Sequence, residues 1–136
     1  MSLPELEELE ALIVRLGDRA RVETIARVDG FPIYGIVMGS EDETAPCLLL
    51  VGGVHGLERI GTQVVLAYLA TLAERLHWDE LTCNALRCSR VAAIPLVNPV
   101  GMRAGTRCNG NGVDLMRNGP SGDLGGGSFL VGGQRF

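Results

Sequence analysis

The sequence has no cluster of basic residues and no cysteine pattern typical of a structural zinc module. Lys and Arg total 12 against 16 Asp and Glu, which gives a net charge of −4. Because nucleic-acid binding depends on concentrated positive charge, this composition predicts no nucleic-acid partner. The cysteines include no CxxC pair and no companion histidine at zinc-finger spacing, so we expect reduced thiols at all four positions: Cys47, Cys83, Cys88 and Cys108.

Signals for secretion or membrane insertion are also missing. The first twenty residues lack the basic region and apolar region of a secretory signal. Apolar runs such as CLLLV are far shorter than the roughly 20 residues that span a bilayer. We therefore expect a cytoplasmic protein without membrane association. Its 136 residues, 19 of them glycine, are typical of one globular domain with many tight turns.

Local patterns in the first part of the chain predict a helix, a hairpin and a buried strand. Pro4, the acidic residues after it and leucines at helical spacing predict a helix over residues 4–17. The runs ARVETIARV and FPIYGIVMG flank Asp29-Gly30, which predicts an antiparallel hairpin. The continuous apolar run in CLLLVGG is typical of a strand covered on both faces, so we expect it to be central in a sheet.

Alternating elements follow. A long helix is predicted from Glu58 to about Leu76, and a shorter one over WDELTCNALRC. RVAAIPLV is predicted to be a second buried strand, ending at Asn98-Pro99. This order of elements indicates a βαβ unit in an α/β sheet, with ligand groups at the strand ends. From residue 98 onward turn residues predominate, and we expect loops. The apolar face of the long helix is predicted to comprise Gly61, Val65, Tyr68, Leu69, Leu72 and Leu76.

The stretch VGGVHGLERIG contains two residues that can bind a metal. His55 and Glu58 lie between a predicted strand and a predicted helix. An imidazole nitrogen and a carboxylate are ligands that zinc accepts in catalytic sites. The alternative is that Glu58 is a helix N-terminal charge and His55 a turn residue. His77, at the far end of that helix, is predicted to be too distant to share a metal.

A polar segment follows the second predicted strand. On a rigid sheet, such a segment could present guanidinium groups to an anionic substrate. The alternative is a solvated loop whose surface arginines need no functional explanation. A lone cysteine in such a loop, here Cys108, is expected to be incidental. The polar residues of the segment are Arg103, Arg107, Asn109, Asn111, Asp114 and Arg117.

Three motifs taken together, GGVHGLE, NPVG and RCNGNGVDLMRN, resemble the zinc carboxypeptidase family in order and spacing. The resemblance implies an α/β/α fold with a mixed sheet, of the phosphorylase/hydrolase-like kind, and zinc as cofactor. It implies that His55 and Glu58 are two zinc ligands. It also implies that Asp114 lies behind the metal-binding histidine, where such a carboxylate would fix the imidazole tautomer.

The same resemblance assigns roles in the polar segment. Arg107 would be the catalytic arginine that stabilises the oxyanion of the tetrahedral intermediate. Arg117 would hold a terminal carboxylate of the substrate, and Asn109 is a further substrate-binding candidate. Met116 stands where the family usually has Asn. Because a thioether cannot donate a hydrogen bond to a carboxylate, the substrate is expected to differ from that of a typical member.

The resemblance covers the front part of the family's domain. The family's third zinc ligand, a histidine, and its general-base glutamate have no counterpart before Phe136. Residues 1–136 are therefore predicted to be the N-terminal portion of a single zinc carboxypeptidase-like domain. We expect this chain alone to be inactive.

The resemblance implies that the chain is part of a zinc-dependent hydrolase that cleaves a peptide or amide bond next to a carboxylate-bearing residue. One alternative is an amidohydrolase of the aspartoacylase or succinylglutamate desuccinylase kind, acting on N-acyl amino acids. Another is a catalytically incomplete binding module. An unpaired sheet edge would favour a homo-oligomer.

Overall fold

The computed structural model describes residues 3–118, which form helices packed on a mixed sheet. Helix α1 covers Pro4–Leu16, with Pro4 in its first turn and acidic Glu5 and Glu7 beside it. The predicted helix is confirmed. A short 3₁₀ helix, Gly17–Arg19, then leads into the sheet.

Strands β1 (Ala20–Val28) and β2 (Phe31–Gly39) form the predicted antiparallel hairpin. Asp29 and Gly30 both have positive φ, at 49° and 82°. Two positive φ values match the primed turn that follows the natural twist of a hairpin. The local dipeptide signal was therefore sufficient to predict this part of the fold.

Strand β3 (Cys47–Val51) is joined to strand β4 (Arg90–Ile94) through helices α2 (Ile60–Arg75) and α3 (Glu80–Cys88). β3 and β4 are parallel, whereas β2 and β4 are antiparallel. The sheet order is β1-β2-β4-β3. The mixed sheet and the βαβ unit are confirmed.

The predicted central position of β3 is wrong for the described residues. Within residues 3–118, β3 is an edge strand, and Leu49 is 59% exposed. Leu50, which points to the opposite face, packs against the core. The apolar run identified a strand, but strand order depends on long-range pairing: β4 inserts between β2 and β3.

The core lies between one face of the sheet and the helices. Ile36 and Met38 of β2, with Val91 and Ala93 of β4, pack in one cluster with α1 and α2. Helix α2 begins two residues later than predicted. The predicted apolar face of α2 is only partly correct. Val65 and Leu69 are buried as predicted, but Tyr68 is exposed. The buried residues of α2 are Thr62, Val65, Leu66, Leu69 and Ala73.

A fourth helix, α4 (Pro99–Ala104), occupies a segment predicted to be loop. The Asn98 side chain accepts a hydrogen bond from Gly101 N at 2.9 Å, and Pro99 occupies the first helical position. Six residues are too few to show helical periodicity, although Asn followed by Pro is a start signal. The part of the loop prediction that concerns residues 119–136 lies outside the described residues. No helix among the described residues is long and apolar enough to cross a membrane.

Candidate active site

The two predicted metal ligands lie in a turn between β3 and α2, residues 52–59, here called the ligand turn. A Cβ atom on Gly56 would lie 2.0 Å from the carbonyl carbon of Gly101 in α4. A Cβ atom on Gly52 would lie 2.7 Å from the Pro95 carbonyl oxygen. The glycines therefore let the turn pack directly against the backbone that follows β4.

His55 and Glu58 converge within the ligand turn. His55 Nδ1 lies 3.3 Å from Glu58 Oε2, and Glu58 N donates to the His55 carbonyl oxygen at 3.1 Å. Two ligands at about 2.0–2.2 Å from one zinc must approach each other to roughly 3–4 Å. The separation lies in that range. The His55 side chain is 11% exposed, whereas that of Glu58 is half-exposed.

Asp114 holds the other side of the imidazole ring. Its Oδ1 lies 3.1 Å from His55 Nε2, and its Oδ2 accepts from Arg107 Nε at 2.8 Å. The side chain of Asp114 is only 2% exposed. The Arg107 hydrogen bond, together with that of His55, holds the pKa of this carboxyl well below its usual range. Asp114 is therefore ionised at neutral pH.

The ionised Asp114 fixes which nitrogen of His55 carries hydrogen. Because a carboxylate only accepts hydrogen bonds, His55 Nε2 must donate. Nδ1 of a neutral imidazole then presents a lone pair to Glu58 Oε2. Two acceptors 3.3 Å apart repel each other unless a proton or a metal cation lies between them. The pair therefore fits a cation, and its nitrogen and oxygen donors suit zinc.

Residues 105–118, here called the arginine loop, contain two arginines that contact Asp114. Arg107 Nη1 is 3.4 Å from Glu58 Oε1, and the Asp114 hydrogen bond raises the pKa of Arg107. Arg117 Nε is 3.6 Å from Asp114 Oδ2, and the Arg117 side chain is 69% exposed. The fold thus brings His55 and both arginines around the buried Asp114 carboxylate, and Glu58 contacts His55 and Arg107.

Comparison with known proteins gives a match to the zinc carboxypeptidase family over residues 6–129. The chain belongs to the zinc carboxypeptidase family. It is 30% identical over 96 residues to carboxypeptidase SOL1 of Arabidopsis thaliana, covering 68% of this chain and 20% of the relative. It is 30% identical over 110 residues to carboxypeptidase E of Caenorhabditis elegans, covering 68% of this chain and 23% of that protein.

The fold of this zinc carboxypeptidase family chain also matches solved structures. A metallo-carboxypeptidase from Burkholderia cenocepacia has a TM-score of 0.73 at 22% identity, covering 82% of this chain and 32% of that one. The chain spans about a fifth of the length of its curated relatives. Family membership confirms the resemblance that the three motifs indicated.

The other candidate residues do not contact His55 or Glu58. Arg103 lies over the Phe31 ring, 5.0 Å from its centroid. Asn109 Oδ1 accepts from Asn111 N at 2.9 Å and Val113 N at 3.0 Å, so it shapes the arginine loop. A role for Asn109 in substrate binding stays a prediction. His77 Nδ1 lies 3.3 Å from Arg19 Nη2, away from the ligand turn.

Residues 3–118 contain no group of three or more His, Cys, Asp or Glu side chains arranged to hold a metal. Asp114 contacts the far nitrogen of His55, so it supports a ligand rather than adding one. The described part of this family member therefore supplies two zinc-ligand candidates, His55 and Glu58.

Two supporting residues were missed by sequence reasoning. Arg59 forms an ion pair with the buried Glu5 and donates to the Met102 carbonyl oxygen at 2.9 Å, which joins the ligand turn to α1 and α4. No local pattern signals a pair 54 residues apart. The second is Asn98, which lies in the NPVG motif. That motif was its available signal.

The low pKa of Asp114 predicts a pH-dependent contribution to stability. The contribution should be complete above the unfolded-state pKa of about 3.9 and should be lost as pH falls through the lower folded-state pKa. Asp114→Asn should therefore lower the free energy of unfolding at about pH 6, and the difference from wild type should shrink below about pH 4. Urea unfolding of both proteins at several pH values measures this difference in the free energy of unfolding. A difference that stays constant down to about pH 2.5 would contradict the assignment.

Proposed function

We propose that the chain supplies two zinc ligands and two substrate-facing arginines to a hydrolase that cleaves a peptide or amide bond next to a carboxylate-bearing residue. The observation that carries the proposal is the opposition of His55 Nδ1 and Glu58 Oε2 at 3.3 Å, with Nε2 held by Asp114. Membership of the zinc carboxypeptidase family supports zinc as the cation.

The ligand turn orients both donors before the cation binds. The Asp114 hydrogen bond fixes the tautomer of His55, and the packed glycines fix the position of its backbone. When bound, zinc polarises a carbonyl and acidifies a water molecule. Two protein ligands leave half of a tetrahedral site to other groups, so the metal affinity of these residues alone should be weak.

Arg107 is suited to stabilise negative charge that develops on the substrate. Its Nε is anchored to Asp114, whereas Nη1 lies beside the proposed ligand Glu58. Anchoring one edge of a guanidinium directs its remaining N–H groups without a reorganisation step during the reaction. We assign Arg107 to the oxyanion for this reason.

Arg117 is suited to bind the carboxylate of the substrate. Its exposed guanidinium offers N–H groups beyond the contact with Asp114. The neighbouring Met116 is 71% exposed and has no donor. Carboxylate recognition would then rest on Arg117 without help from residue 116, which favours a substrate other than that of a typical family member.

A second candidate function shares this chemistry. An amidohydrolase that acts on N-acyl amino acids also needs a cation site and an arginine for a free carboxylate. Met116 is the observation that favours it, because the amide expected at that position is absent. A cytoplasmic location, self-association and the binding-module alternative stay predictions from the sequence.

Zinc binding tests the ligand assignment. His55→Ala and Glu58→Gln should each weaken zinc affinity by about 10-fold or more, because each removes one of two ligands. His77→Ala is the matched control and should leave affinity unchanged. Competition with a chromophoric chelator measures all four proteins. Equal losses in His55→Ala and His77→Ala would show that binding is not at the ligand turn.

Kinetics of a catalytically active form of the protein test the arginine roles. Arg107→Ala should lower kcat by about 100-fold or more, as loss of an oxyanion donor does. Arg117→Ala should raise KM for substrates with a free carboxylate but not for their amides. Arg103→Ala, on nearby α4, is the control and should retain activity. The proposal is wrong if Arg117→Ala affects acids and amides equally.

A further inference from the structure

We propose that Asn98 is a positioning residue that sets the separation between the ligand turn and the arginine loop. The proposal rests on the function proposed above, because it concerns the geometry of the same site. Asn98 lies after β4 and before α4, and it is only 2% exposed. It does not reach the metal ligands itself, so any effect must pass through the backbone that it holds.

Its side-chain amide joins three segments. Asn98 Oδ1 accepts from Gly101 N at 2.9 Å, which caps α4. Asn98 Nδ2 donates to the Val54 carbonyl oxygen at 3.2 Å and to the Cys108 carbonyl oxygen at 3.1 Å. Val54 immediately precedes His55, and Cys108 immediately follows Arg107. One amide therefore connects the residue beside a proposed ligand to the residue beside the proposed oxyanion donor.

Backbone hydrogen bonds hold the same two segments near Asn98. Asn98 N donates to the Gly53 carbonyl oxygen at 2.9 Å, and Leu57 N donates to the Thr106 carbonyl oxygen at 3.0 Å. The Leu57 bond directly joins the ligand turn to the arginine loop. Hydrogen exchange of the Leu57 amide therefore reports whether the ligand turn and the arginine loop stay in contact.

Close packing leaves little room for the segments to relax if the amide is changed. A Cβ atom on Gly101 would lie 2.3 Å from the Cys108 carbonyl oxygen and 2.4 Å from Asn98 Nδ2. A Cβ atom on Gly56 would lie 2.0 Å from the Gly101 carbonyl carbon. Loss of the Nδ2 hydrogens would leave two carbonyl groups without this donor, and such a loss is unfavourable in a buried site.

The consequence concerns distances at the site. His55 must reach Asp114, and Arg107 must reach Glu58, across the gap between the ligand turn and the arginine loop that Asn98 spans. Because small misplacements of catalytic groups are costly, an amide that fixes this gap would control the site without touching it. The competing interpretation is that Asn98 only caps α4.

Asn98→Asp separates these two roles. Aspartate keeps the oxygen that caps α4 but lacks both Nδ2 hydrogens and places a carboxylate oxygen near two carbonyls. Asp79→Ala is the control, since it removes the cap of α3, where the Asp79 side chain accepts from Leu81 N, together with the contacts of Asp79 to Arg75 and Thr82. That cap lies outside the ligand turn and the arginine loop.

Two measurements on the full chain decide the matter: zinc affinity and hydrogen exchange of the Leu57 amide. Asn98→Asp should weaken zinc affinity by about 10-fold or more, as loss of residues that orient metal ligands does. It should also speed exchange of the Leu57 amide by about 10-fold or more through local opening. Asp79→Ala should change the zinc affinity and the Leu57 exchange rate by less than about 2-fold. This should hold even if Asp79→Ala lowers thermal stability as much as Asn98→Asp does.

The outcomes are distinguishable. Equal effects in Asn98→Asp and Asp79→Ala, or unchanged Leu57 exchange in Asn98→Asp, would overturn the positioning role. Zinc binding that His55→Ala leaves unchanged would instead overturn the proposed function, and the exchange measurement would still test Asn98. If Asn98→Asp does not fold, hydrogen exchange of the Asn98 side-chain amide in the wild-type chain tests whether Asn98 Nδ2 donates its two hydrogen bonds. Slow exchange supports the two donated bonds, and exchange at the rate of a free amide refutes them.

Discussion

The buried carboxylate of Asp114 is the group on which the geometry of the site depends. Its two oxygens contact His55 and Arg107, and its Oδ1 also accepts from Met116 N at 3.1 Å. One ionised group therefore fixes the imidazole tautomer, anchors the guanidinium and shapes the arginine loop. Because burial raises the cost of an unpaired charge, these contacts depend on one another. Losing one partner would weaken the arrangement of the others.

The fold makes this arrangement possible by bringing two chain segments to the same end of the sheet. β3 and β4 are parallel, so the ligand turn after β3 and the segment after β4 meet. Glycines at 52, 56 and 101 allow backbone approaches that any Cβ atom would block. Asn98 then joins the facing carbonyls. The chemistry of the site thus rests on small residues and one amide as much as on the charged groups.

Local sequence signals predicted α1, the hairpin and the closeness of His55 to Glu58, because each depends on residues a few positions apart. They could not predict that β3 lies at the edge of the described sheet, since strand order is set by long-range pairing. Helix α4 was missed because six residues show no periodicity. The motifs predicted Asp114 as the partner of His55. The Glu5–Arg59 pair, by contrast, depends on tertiary packing alone.

The most direct test of the account is the protonation and metal binding of the His55 ring, observed by long-range proton–nitrogen NMR with zinc added. The chain has only two histidines, so the signals are readily assigned. The account predicts that Nε2 carries hydrogen with and without zinc, and that zinc shifts the Nδ1 resonance. Zinc bound at Nε2, or hydrogen on Nδ1 with Nε2 unprotonated, would contradict the central role given to Asp114.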